Sequence, residues 1–171
     1  LWYKAPVTPE DNLHGDLRGV IEHLDYIQKL GIDVLYLTPI FQSNSCHKYD
    51  TIDYYQIDPS FGTTEDLKEL VQKAHECGMK VVLDAVFNHT GREFFAFADI
   101  MEKQEKSKYL DWYFIEGFPL KSDLEDVPNF KSFAYYAGMP KLNLKNPEVE
   151  KFVTDVACYW IKECDIDGWR M

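Results

Sequence analysis

Positive charge is scarce in this sequence. Eighteen Lys and Arg stand against 29 Asp and Glu, for a formal net charge of −11. A surface of that sign repels phosphate backbones and anionic lipid, which argues against nucleic-acid and membrane partners and leaves neutral ligands. No apolar run approaches the roughly 20 residues needed to cross a bilayer. The cysteines Cys46, Cys77, Cys158 and Cys164 contain no C-x-x-C pair, which argues against a structural zinc site. Cys77 and Cys158 fall on expected helices and read as small core residues. Free thiols would fit a reducing compartment, expected here as the cytoplasm, although four cysteines could also pair. The start, Leu1-Trp2-Tyr3-Lys4, has neither an initiator Met nor the pattern of a signal peptide, so the sequence reads as part of a longer chain. No glycine-rich phosphate fingerprint follows any apolar run, and a nucleotide-binding fold loses its best support.

Aromatic rings, by contrast, are plentiful, at 15% of residues. That share suits an aromatic core together with surfaces that stack on the apolar face of a sugar ring. The 171 residues suffice for one domain with its own core. Leu17, Val20, Ile21, Leu24, Ile27 and Leu30 recur at helical spacing, with Asp16 as N-cap and Gly31 closing the helix. Residues 32–37 form a short apolar run before Pro39, expected as a buried strand, and residues 40–62 read as a loop carrying Tyr49, Tyr54, Tyr55 and Phe61. Thr63 and Asp66 resemble a capping box opening a second helix, whose inner face is Leu67, Leu70, Val71 and Ala74 and whose end is Gly78. Residues 80–87 are the second buried strand. Residues 88–145 are polar and aromatic, helical only over 92–109, and too long for a strand-to-helix loop, so they read as an inserted subdomain. Asn146, Pro147 and Glu148 start a third helix with Val149, Phe152, Val153, Val156, Ala157, Trp160 and Ile161 on its inner face. Residues 166–171 begin another strand. Such alternation demands an α/β fold with a parallel sheet covered by helices, and periodicity alone leaves a doubly wound sheet and a barrel both open.

In parallel α/β folds functional side chains gather at the C-terminal ends of strands. Asp84, Asn88 and His89 leave the second strand together, and alternation is expected to put Asp84, Val86 and Asn88 on one side of it. A buried carboxylate costs several kcal/mol unless paired, and Arg170, at the end of the third strand, is the expected partner. A structural ion pair with a turn-forming Asn accounts for the same residues. After the first strand, His47 and Asp50 surround Tyr49, whose ring can stack on a sugar; Tyr54 and Tyr55 read more simply as cover for the sheet end. Asp167-Gly168-Trp169-Arg170-Met171 alone is a weak signal, and its Trp reads as core.

Taken together these segments resemble a known family. Asp84–His89 resembles the first signature of the α-amylase family, D-x-x-x-N-H, and residues 168–171 resemble the start of its second, G-[FW]-R-[LM]-D. Between them Met139-Pro140-Lys141-Leu142-Asn143 resembles the M-P-K-L-N signature of the neopullulanase, cyclomaltodextrinase and maltogenic amylase group, as do residues 47–62 and 111–119. The resemblance covers nearly the whole chain. It implies a partial TIM (β/α)8 barrel, about strands two to four, with a small subdomain inserted after strand three. Residues 1–87 would be the first part of the barrel, 88–145 the insertion, and 146–171 a barrel helix and the start of strand four.

The resemblance further implies a fragment of a retaining α-glucan hydrolase acting on cyclodextrin, pullulan or maltodextrin. Its nucleophile would follow Met171 and its acid/base would lie further on, so the fragment is expected to be inactive alone. Residue by residue, His89 matches an imidazole that hydrogen-bonds the sugar at the scissile bond, and Tyr49 a tyrosine that stacks on it. Arg170 matches the arginine that orients the nucleophile, and Asp84 an acid supporting that arrangement. No cofactor is required. Calcium is the one ion to consider, at Asn88 as in α-amylases, or at Asp16 with a carbonyl near His14 or Gly15; Asp16 as a plain N-cap serves equally well. α-Glucan oligosaccharides are the expected partners, and the exposed edges of an incomplete barrel are expected to drive homo-oligomer formation. The alternatives are a non-catalytic amylase-like sugar-binding or interaction protein, an α-glucosidase or trehalose-handling relative, against which Met139–Asn143 argues, and an unrelated barrel with chance motifs.

Overall fold

A computed structural model describes residues 15–124 and 127–171 of the chain. Its helices and strands run in the order α1 (Leu17–Glu22), α2 (Leu24–Lys29), β1 (Val34–Leu37), β2 (Phe41–Gln42), β3 (Asp53–Ile57), α3 (Thr64–Glu76), β4 (Lys80–Asp84), α4 (Phe95–Lys103), α5 (Pro147–Cys164) and β5 (Gly168–Arg170). Packing divides the chain into two units. Of the described residues, one holds 15–40, 55–85 and 157–171, and the other holds 41–54, 86–124 and 127–156.

The first unit is built on a parallel sheet in the order β1-β4-β5. Leu35 pairs with Val81 and Leu83 with Trp169, so these side chains share one face, and Leu35, Val81 and Leu83 are buried there. The other face carries Val34, Tyr36, Val82, Asp84 and Arg170. Val34 and Tyr36 on it are 47% and 43% exposed, so the expectation of a fully buried first strand holds for one face only. The helix expected over residues 17–30 is two helices that meet at His23, whose ring nitrogen Nδ1 bonds the Gly19 carbonyl at 2.7 Å and whose backbone leaves the helical region. Leu30 lies exposed past the second of them.

Caps do what their sequence suggests. Asp16 accepts from the Gly19 N–H at 2.6 Å, and Thr63 and Asp66 form a reciprocal capping box. Leu67, Leu70, Val71 and Ala74 are buried along α3, which closes on Gly78 at φ +77. Asn146 Oδ1 accepts from the Glu148 N–H at 2.8 Å at the head of α5. On α5 Val149, Val156 and Trp160 are buried, whereas Ile161 is exposed. All four cysteines are free thiols; Cys164 is the buried one, and Cys158 faces solvent on α5 rather than the core.

The second unit departs most from the periodicity. Residues 40–62, expected as a loop and divided between the units, contain β2 and β3, which pair as a small separate sheet. The helical stretch expected over 92–109 is α4 and a short 3-10 turn, Gln104–Lys106, because Gln104 turns to φ +53 and ends the α-helix. Beyond α4 the chain is held by isolated antiparallel bridges, His89 with Lys141, Tyr113 with Leu142, Ile115 with Phe130 and Ser132 with Pro140. Residues 139–143 therefore act as an extended spine with backbone partners on both sides.

At the start of β5 the Asp167 carboxylate accepts from the Val81 N–H at 2.8 Å and meets the His75 ring at 2.8 Å. Burial pushes this carboxyl up, but the His75 and Val81 partners outweigh it and hold it below its ordinary value. A depressed carboxyl contributes stability that is full above its unfolded value, about pH 3.9, and is lost as pH falls through the folded one. Asp167→Asn should lower stability by about 1 kcal/mol near neutrality. Thermal melts between pH 7 and pH 2.5 should show that difference shrinking toward zero on the acid side; a constant difference would refute the linkage.

Candidate functional site

Asp84 ends β4 and Arg170 ends β5, and the two are paired across the parallel ladder. Paired residues project to the same face, and Tyr36, opposite Val82 on β1, belongs to it too. Arg170 Nη1 donates to Asp84 Oδ2 at 3.0 Å, and the Tyr36 hydroxyl donates to the same oxygen. The guanidinium also lies over the Tyr36 ring, 5.7 Å from its centroid. Asp84 is 4% exposed, so its charge is answered by the guanidinium and the phenol. More than half of the Arg170 side chain remains open to solvent. A buried acid and a half-open guanidinium paired at a strand end can fix the direction of a further anionic group placed beside them.

The other sequence-derived residues come together in the second unit. His89 is 5% exposed. Its Nε2 lies 3.0 Å from the Tyr49 carbonyl oxygen, which can only accept, so this nitrogen carries the proton. Its Nδ1 then accepts from the Asn88 side-chain amide at 3.0 Å. Burial pushes the imidazole below its ordinary pKa, against the pull of the Tyr49 carbonyl, which favours the neutral ring with this tautomer. Both ring nitrogens are thus engaged within the protein, and Phe133 lies beside the ring at 5.1 Å between centroids. Strand alternation does not reach His89, because β4 stops at Asp84 and Val86 turns to φ +39, so Asp84, Val86 and Asn88 are not three alternate positions of one strand.

Tyr49 is half-buried at the end of a tight turn. Asp50 Oδ1 accepts from Ser43 Oγ at 2.6 Å and from Ser45 Oγ, while the Tyr49 N–H donates to His47 Nδ1 at 3.1 Å. Lys48, at φ +61, is buried and donates from Nζ to the Ser43 carbonyl at 2.9 Å. The segment then runs against 89–91, where the Gly91 N–H donates to the Thr51 carbonyl at 2.8 Å. The approach is so close that a Cβ on Gly91 would strike the Asp50 carbonyl oxygen.

Neither Asp16 nor Asn88 stands in a calcium cage among the described residues. Among the described residues no group of three or more His, Cys, Asp or Glu is arranged to hold a metal ion. Asp16 Oδ1 accepts from its own helix and the Asn88 amide nitrogen bonds His89, so each residue brings at most one or two side-chain oxygens, whereas calcium needs six to eight. A carbonyl at His14 lies outside the described residues. These residues do not fit a calcium site by themselves. Spacing alone did not single out Tyr36, Phe133 or Gly91. The aromatic content of residues 88–145 was the only hint of Phe133.

The model of the family "Alpha amylase, catalytic domain" matches residues 7–171. The chain is 52% identical over 170 residues to a cyclomaltodextrinase of Geobacillus thermopakistaniensis, covering 99% of this chain and 29% of that protein. It is 46% identical to the intracellular maltogenic amylase of Bacillus subtilis, covering 99% and 28%. Among solved structures, the cyclic alpha-maltosyl-(1→6)-maltose hydrolase of Arthrobacter globiformis in complex with cyclic alpha-maltosyl-(1→6)-maltose superposes with a TM-score of 0.87 at 44% identity, covering 99% of this chain and 38% of that one. The chain spans less than a third of the length of the curated relatives it matches.

Gly91→Ala should break the pairing of 49–51 with 89–91. We expect about 2 kcal/mol of lost stability by denaturant titration, within the range for a forced steric conflict. Stability unchanged from wild type would refute the close approach.

Proposed function

Because the chain belongs to the α-amylase catalytic-domain family, whose fold is the (β/α)8 barrel, we propose that it supplies the charge-setting and sugar-orienting part of a retaining α-glucan hydrolase acting on cyclodextrin, pullulan or maltodextrin. The observation that carries the proposal is the Asp84–Arg170–Tyr36 cluster at matched positions of adjacent parallel strands. Residues 1–87 and 146–171 are then barrel, and residues 88–145 the inserted subdomain.

A retaining glycosidase needs one carboxylate to attack the anomeric carbon and a second to protonate the leaving oxygen and later deprotonate water. In the proposed mechanism the rest of the barrel supplies both. Arg170, itself fixed by Asp84, orients the attacking carboxylate and keeps it ionised. The Tyr49 ring stacks on the apolar face of the sugar at the scissile bond. A sugar hydroxyl reaches His89 by taking the place of the exposed Asn88 amide on Nδ1. Cytoplasmic location fits the free thiols and the relative named as intracellular. No helix among the described residues is long and apolar enough to cross a membrane.

Reducing-sugar assays on β-cyclodextrin and pullulan test the assignment. The full-length protein should turn over, residues 1–171 alone should not, and Arg170→Lys in the full-length protein should lower kcat by about 100-fold or more, since a single ammonium cannot replace the fork. A full-length protein without activity on either substrate would sink the proposal.

Homo-oligomer formation belongs to the same proposal. Val34 and Tyr36 are exposed on one sheet face, and β1 and β5 are its edges. Light scattering after size exclusion should therefore give residues 1–171 a mass above one chain; a clean monomer at high concentration would count against it.

A further inference from the structure

Val86, at φ +39, occupies a backbone region that a β-branched residue adopts only where its surroundings impose it. It opens the turn that ends in Asn88 and His89. The carbonyls of Val86 and His89, one at each end of this turn, converge on a single atom, the hydroxyl of Tyr54, at 3.0 and 2.7 Å. Tyr54 is 1% exposed. Its ring is boxed by Phe41, Phe87, Phe94 and Phe152, with centroids 6.3, 6.1, 5.7 and 5.9 Å away. A phenol hydroxyl inside such a box must find an acceptor in the protein, and two that it reaches here bound the strained turn.

We propose that Tyr54 is a positioning residue, a strap whose hydroxyl closes the Val86–His89 turn and so fixes the His89 imidazole for substrate. Its importance for catalysis rests on the α-glucan hydrolase assignment; its effect on the ring does not. The strap works with the partners already described. Once the His89 backbone is held, Nε2–H points at the Tyr49 carbonyl and Nδ1 at the Asn88 amide, so one tautomer is selected before substrate arrives. Preset donors and acceptors speed a reaction because they need no reorganisation during it.

A second buried phenol supplies the control. Tyr113 is also buried, and its hydroxyl lies 2.9 Å from Thr90 Oγ1, a side chain one residue beyond His89. Deleting either hydroxyl removes one buried hydrogen-bonding group, so a merely structural role predicts similar consequences for both.

The comparison is Tyr54→Phe against Tyr113→Phe, read in two ways. Nitrogen-15 NMR of residues 1–171 reports the His89 tautomer. Kinetics on β-cyclodextrin with the full-length protein report catalysis. Tyr54→Phe should bring the His89 ring into exchange between tautomers and lower kcat by about tenfold or more with KM within about threefold, the pattern of a misplaced group rather than lost ground-state binding. Tyr113→Phe should leave both near wild type. The proposal is overturned if Tyr54→Phe leaves the His89 nitrogens and kcat unchanged, or if Tyr113→Phe produces the same losses. Val86→Gly in the Tyr54→Phe background relieves the strain that the strap holds, so part of any lost melting temperature should return; no recovery also counts against the strap. If the wild-type full-length protein fails to cleave β-cyclodextrin, the hydrolase assignment falls, and the NMR comparison decides the strap by itself.

Discussion

A carboxylate removed from water must be answered by charge or by donors, and Asp84 sets this condition for the sheet end. Taking an ion out of water costs several kcal/mol even after relaxation, and attraction repays it only when geometry supplies matched partners. The parallel register delivers them: Asp84 faces Arg170 on one neighbouring strand, while Tyr36 reaches it from the other. All three strands are therefore tied at one oxygen atom. A one-residue slip of β5 would turn Trp169 toward that face and strand the buried charge. The same contact that specifies register leaves a guanidinium half open to solvent, which suits it to orient a further anion.

The second unit solves a different problem, how to fix a neutral imidazole without charge. Both ring nitrogens of His89 bond neutral groups: its proton points at a main-chain carbonyl and its lone pair at an amide. Main-chain acceptors are as rigid as the segments that carry them, so the work passes to the backbone. Residues 49–51 run against 89–91, glycine at 91 permits the approach, and 139–143 bond the far side through the Leu142 N–H to the Asn88 carbonyl at 3.0 Å and the Thr90 N–H to the Pro140 carbonyl at 3.1 Å. The short Met139–Asn143 motif thus has a physical function independent of any ligand, since it is a backbone partner of the D-x-x-x-N-H segment.

Most helices and the parallel strands were legible in the sequence because caps and apolar spacing act locally, while the strand order came only with the family resemblance. Asp16, Thr63 with Asp66, and Asn146 marked three helix starts, and the Asp84–Arg170 pairing followed from the need to neutralise a buried acid. The break at His23 was not legible, since the apolar spacing runs through it unchanged while a side-chain bond to Gly19 ends the first helix. Nor was the exposure of Cys158, a small residue on a helix flank whose burial depends on what packs there. Tyr54 read as cover, because no pattern tells which tyrosine hydroxyl will find two carbonyls 32 and 35 residues away.

The spacing of D-x-x-x-N-H follows from these constraints. Its acid has to be the last ladder residue of β4, where register gives it Arg170. Its amide and imidazole have to stand after a turn, where the backbone partners of the second unit hold them. Strand alternation cannot satisfy both, since it would keep residues 84, 86 and 88 on one face of a continuing strand. The chain instead leaves the ladder at Ala85, whose N–H still bonds the Arg170 carbonyl at 3.0 Å, and reverses its local twist at Val86. The boundary between the two packing units falls between these two residues. Three residues between the acid and the amide are what the last ladder bond, the positive-φ residue and the return of the chain require, so the spacing is a backbone requirement before it is a catalytic one.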